Sequence, residues 1–74
     1  MTDEQLAKEI NGFIGLLIDE KFKLHSKMVK LKEFITSDQF DDISKTQQNL
    51  LKRQVVAMAE YYACLNLRLD YLLK

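Results

Sequence analysis

The chain has no proline and no tryptophan, a single cysteine, and only two glycines, Gly12 and Gly15. With Cys64 alone, no disulfide can form within the chain, and a lone thiol suits a reducing compartment. His25 and Cys64 are the only good soft ligands, so neither a metal nor another cofactor is expected. Charge of one sign is missing too. Eleven basic and eleven acidic residues cancel, which removes the field a general nucleic-acid binder uses. The longest apolar run, FIGLLI at residues 13–18, falls far short of the ~20 residues that a membrane-spanning helix needs. The start, MTDEQ, is acidic and polar and unlike a signal peptide. A soluble, cytoplasmic protein is expected.

A chain of 74 residues is one domain at most. At this size the buried fraction is small, and stability commonly rests on disulfides, metal or self-association. With the first two excluded, oligomerisation is the expected remedy.

What is present is helical periodicity, without strand-like alternation. Thr2 followed by Gln5 makes a capping-box pattern, and Asp3 and Glu4 suit the positive end of a helix. Ile10, Ile14, Leu17, Lys21, Leu24, Met28, Leu31 and Ile35 then recur in steps of four and three. A second pattern opens at Ser44, with Gln47 as capping-box partner, and runs through Leu51, Val55, Met58, Tyr62, Leu65, Leu69 and Leu72. This is the spacing of a helix seam. Between them TSDQFDDIS is rich in turn and cap formers. SDQF suits one short helical turn, with Phe40 and Ile43 folding back over the hairpin end.

These patterns predict an all-α protein: an antiparallel hairpin with helices at 3–35 and 45–73 and a loop at 36–44, forming a single domain over 1–74. Asn11-Gly12 offers an alternative, a turn that breaks off a short first helix. The continuous helix is preferred because the stripe passes through Ile10 and Ile14 without a phase shift. In antiparallel register Leu17 faces Leu65, Leu24 faces Met58, Leu31 faces Leu51, Ile14 faces Leu69, and Ile10 faces Leu72. At ~1.5 Å per residue the rod is roughly 45 to 50 Å long.

One seam leaves much apolar surface uncovered. Phe13, Leu16, Ile18, Phe22 and Val29 lie off it on the first arm. So do Leu50, Val56, Ala57, Tyr61, Cys64 and Leu67 on the second. A single rod exposing this much invites association, and two hairpins would cover it as a helical bundle.

Candidate chemistry is sparse. Lys21 occupies a seam position opposite Tyr62. The pair is either a polar layer able to grip an anion or a snorkelling lysine beside an edge tyrosine. Residues 21–32, KFKLHSKMVKLK, hold five lysines and no acid. Lys23, Lys27 and Lys30, with Arg53 from the second arm, make either a phosphate-binding face or a solvated one. Tyr61 points about 100° away from Tyr62 and is either interface packing or a platform for a base. Arg68 lies one turn beyond Cys64 on the side of Tyr61. Cys64 and His25 stand ~9 Å apart along the axis, too far for a dyad. Cys64 is expected to pack as a small residue, and His25 to be exposed or at the boundary. No phosphate-binding glycine loop, nucleophile elbow or metal-ligand spacing occurs, so no enzyme is expected.

Two further runs carry a resemblance over about residues 22–70. The first is Phe34, Ile35, Ser37, Phe40 and Ile43. The second is Gln48, Leu50, Leu51, Gln54, Met58, Tyr61, Leu65 and Arg68. Together they resemble small helical proteins of tailed phages, including crAss-like phages. Such proteins are similar in organisation to phage helical-hairpin anti-defence proteins, which are oligomeric sponges for cyclic-nucleotide or cyclic ADP-ribose immune signals. The resemblance implies a homo-oligomer of phage origin that sequesters a small nucleotide signal. Lys23, Lys27, Arg53 and Arg68 are then the candidates for holding phosphates, and Tyr61 for stacking on a base. A protein-interaction module, a dimeric hairpin using its apolar second face to inhibit or bridge a host or phage protein, is the competing expectation. Nucleic acid is a disfavoured partner on charge.

Overall fold

The computed structural model describes the backbone of residues 3–74 and the side chains from Gly12 onward. Helix α1 spans Asp3–Ile35 and helix α2 spans Lys45–Leu72, joined by a short 3-10 helix at Asp38–Asp42. The helices lie antiparallel as a hairpin 58 Å long and 17 × 15 Å in cross-section. The chain is helical across Asn11 and Gly12, so α1 is continuous there. The capping pattern of Thr2 and Gln5 lies outside the described residues.

Local chemistry explains where the helices stop. The Thr36 hydroxyl donates to the carbonyls of Lys32 and Glu33, each at 3.1 Å, and the Ser37 hydroxyl donates to the carbonyl of Phe34 at 2.6 Å. These bonds add to the backbone bonds that end the helix, in which the Lys32 and Phe34 carbonyls also accept from the N–H groups of Thr36 and Ser37. The chain then enters the 3-10 turn, where Phe40 is buried and meets the Phe34 ring edge-on at 6.2 Å. Helix α2 begins at Ser44, whose hydroxyl accepts from the backbone N–H of Gln47 at 3.2 Å. This is the Ser44 half of the expected capping box.

Gln48 is the buried polar side chain of the loop end. Its Nε2 donates to the carbonyls of Phe40 at 3.0 Å and Ile43 at 3.2 Å. A buried amide costs free energy unless it is bonded. Here it spends both protons on the backbone of the turn and ties that turn to the first coil of α2.

The core follows the seam. Leu17, Leu65 and Leu69 are its buried centre, with Ile14, Leu24 and Leu72 packed around them. Met28 is buried further toward the loop. Every seam position from Ile14 to Leu72 is buried or half-buried. The residues expected to be left over are exposed: Phe13, Leu16, Ile18, Phe22 and Val29 on α1, and Leu50, Val56, Tyr61 and Leu67 on α2. Cys64 is exposed as well. It lies on a flank of α2, among the residues that one seam was expected to leave uncovered.

Candidate functional site

On one side of the hairpin the flanks of the two helices enclose an open groove of about 430 Å³. Helix α1 contributes Leu16, Asp19, Glu20, Lys23 and Lys27, and α2 contributes Tyr61. The helical period puts these residues together. Leu16, Glu20, Lys23 and Lys27 recur every three or four residues on one flank of α1. The antiparallel register brings Tyr61 level with them.

The groove carries mixed charge. Lys23 Nζ lies 2.8 Å from Asp19 Oδ2, and both side chains are largely exposed. The Lys23 pKa is raised by the hydrogen bond to Asp19 and by its charge, against a smaller opposing effect of burial. An exposed pair one helical turn apart adds little to stability. Tyr61 is 46% exposed.

The remaining candidates stand elsewhere. Arg53 lines a shallow depression with Lys52, Val56, Ala57 and Glu60. All five residues belong to α2, so nothing from α1 faces Arg53 across it. Arg68 lines a third depression of about 330 Å³ with Phe13 and Tyr71, and its guanidinium stands 5.7 Å from the Phe13 ring centroid. Fifteen residues of helix put Arg53 and Arg68 about 22 Å apart. A single hairpin therefore brings together Lys23, Lys27 and Tyr61; Arg68 lies about 10 Å further along the same side in a depression of its own, and Arg53 stands among residues of α2 alone.

Lys21 and Tyr62 face each other in the seam. Lys21 Nζ lies 5.7 Å from the Tyr62 ring centroid, and the His25 ring approaches the same tyrosine at 5.6 Å. This stack is outside the groove. Lys52 Nζ sits 5.7 Å from the Phe40 ring and covers the turn. Asp19 and Glu20 are groove residues with no motif in the sequence to single them out. The signal available was Asp19 four residues before Lys23, a spacing that pairs acid and base on one helix face.

Among the described residues, no helix is long and apolar enough to cross a membrane. No group of three or more His, Cys, Asp or Glu among them is placed to hold a metal. No solved structure matches the chain. The Sequestin family model matches residues 11–71, a stretch that takes in α1 from Asn11 onward, the whole loop and α2 as far as Tyr71. By a match that covers most of its length, this hairpin belongs to the Sequestin family.

Proposed function

We propose that this chain is a phage-encoded, non-enzymatic binding protein that sequesters a nucleotide-derived immune signal within an oligomer of hairpins in the host cytoplasm. The observation that supports it is the groove in which an open tyrosine ring stands beside two lysines and two carboxylates. The family's name, Sequestin, suggests sequestering as well.

The chemistry of the groove suits a nucleotide better than a simple anion. Lys23 and Lys27 supply charge-assisted donors for phosphate oxygens. Tyr61 offers a ring face, and stacking on a base is worth about 1–3 kcal/mol. Asp19 and Glu20 accept hydrogen bonds from sugar hydroxyls or an exocyclic amine. A cyclic nucleotide or cyclic ADP-ribose signal carries all three kinds of group. Sequestration requires that little of the ligand stay in water, and binding sites for molecules of this size bury about 70–90% of the ligand. One open groove does not achieve that. A second hairpin closes it, and an arginine such as Arg53 or Arg68 from another copy reaches the ligand where its own hairpin cannot place it.

The test is native mass spectrometry of the protein alone and with a panel of cyclic mono-, di- and trinucleotides and cyclic ADP-ribose variants. A discrete oligomer gaining a stoichiometric ligand mass is expected. Lys27→Ala and Tyr61→Ala abolish the uptake while leaving the helical circular dichroism intact. An oligomer that takes up nothing favours the competing reading, a protein-interaction module that uses its exposed apolar residues. In that case Leu50→Asp disrupts capture of a partner from infected host extract.

A further inference from the structure

The groove and the depression around Arg68 share one side of the hairpin. On α1, Phe13, Leu16, Glu20, Lys23 and Lys27 follow one another in steps of three and four. On α2, Tyr61, Cys64, Arg68 and Tyr71 do the same, and all four are exposed. Such steps keep side chains on one flank of their helix. Phe13 and Leu16, one turn apart, line the depression and the groove respectively. Between Tyr61 and Arg68 the interval is about 10 Å along α2.

Each place offers a ring and a cation. In the groove these are Tyr61 with Lys23 and Lys27. In the depression, about 330 Å³ in volume, they are Phe13 and Tyr71 with Arg68. Tyr71 is 78% exposed. The Arg68 guanidinium stands 5.7 Å from the Phe13 ring centroid. Contact with a ring restrains a guanidinium and leaves its N–H groups to donate to phosphate. In the antiparallel register the order from the loop end is cation, ring, cation, ring. Lys27 and Lys23 come first, then Tyr61, then Arg68, then Phe13 and Tyr71.

We propose that the depression at Arg68 is a second subsite continuous with the groove, and that the ligand is a dinucleotide, two planar bases joined through phosphate. One base stacks on Tyr61 and the other on Tyr71, while Arg68 holds a phosphate between them. This assignment rests on the nucleotide reading above and narrows it. A single-base nucleotide fills the groove and leaves Arg68 of the same hairpin out of reach. A second base spans the interval. Once the first base is seated, the second contact is intramolecular, so affinity rises with no further anchor on the protein.

Calorimetric titration of the full chain with cyclic AMP, cyclic di-AMP and the linear dinucleotide NAD tests it. At least one dinucleotide is expected to bind about tenfold or more tightly than cyclic AMP. Preference for cyclic di-AMP or for NAD tells how the two halves are joined, and either supports the subsite. Arg68→Ala and Tyr71→Ala each bring dinucleotide affinity down to near that of cyclic AMP and leave cyclic AMP binding unchanged. Tyr61→Ala weakens all of them. Tyr71 lies outside the buried seam, so its variant keeps the helical circular dichroism even where Arg68→Ala disturbs the packing of Phe13. The subsite is overturned, and the nucleotide reading kept, where cyclic AMP binds as tightly as both dinucleotides. The same holds where Arg68→Ala and Tyr71→Ala change nothing or weaken every ligand alike. Failure of all three ligands to bind overturns the nucleotide reading and the subsite with it.

Discussion

Gln48 Nε2 donates to the backbone carbonyl of Phe40 at 3.0 Å, joining the first turn of α2 to the backbone of the 3-10 turn that closes the hairpin. The same nitrogen holds the Ile43 carbonyl at 3.2 Å. One side chain thus fixes the geometry of the return. Gln48→Leu keeps the volume and removes both bonds, leaving two carbonyls of the turn without their donor. It is expected to cost about 1–3 kcal/mol. In a domain of this size that lowers Tm by roughly 4–8 °C per kcal/mol, which a thermal melt resolves. An unchanged Tm shows that water replaces the amide.

The core is a short leucine cluster, so its members weigh heavily. Leu65 is fully buried between Leu17 and Leu69. Leu65→Ala removes about 2–5 kcal/mol through lost transfer energy and the cavity left behind. Chemical denaturation is expected to show a lower midpoint, and Leu67→Ala, on the exposed surface, to leave it nearly unmoved.

Lys21 and Tyr62 separate a structural role from a binding one. The ammonium lies against the ring at 5.7 Å, and contacts of this kind are worth about 0.5–1 kcal/mol at exposed sites. Lys21→Met keeps the stem that covers apolar surface and discards the charge. Stability is expected to change by no more than about 1 kcal/mol, with ligand uptake unaffected. Loss of uptake at retained stability assigns Lys21 to the site.

Lys23 offers a titration. Its pKa lies above the ordinary lysine value of 10.5 because Asp19 bonds and attracts its charged form. A group raised on folding contributes its stabilisation in full below 10.5, and loses it as the pH climbs through the higher folded value. Asp19→Asn removes the opposing charge, so the Lys23 midpoint moves down. Side-chain NMR of the lysine follows the shift, and a midpoint indifferent to Asp19→Asn denies the pair in solution.

Gly12 lies inside α1, and a methyl group there meets no atom within 4 Å. Gly12→Ala therefore gains helix propensity at no steric cost, about 0.8–1.0 kcal/mol. A higher Tm on thermal melting is expected.

Much of this molecule was legible in its sequence, and the reason is locality. The steps of three and four from Ile14 to Ile35 and from Leu51 to Leu72 are properties of each helix alone. They determined that there are two helices and which residues meet in the seam. They also determined that Phe22, Val56 and Leu67 stay outside. Turn and cap formers between Thr36 and Ser44 located the return for the same reason, because their hydroxyls bond to backbone a few residues away. The burial of Gln48 was not legible, since an amide looks solvent-facing until the turn folds its carbonyls over it. Nor was the division of the basic residues. Lys23, Lys27, Arg53 and Arg68 are equally plausible phosphate ligands in one dimension. Which flank of α1 meets which flank of α2 depends on how two axes lie against each other in space. That packing alone set Tyr61 beside Lys23 and Lys27, and left Arg53 and Arg68 lining depressions of their own.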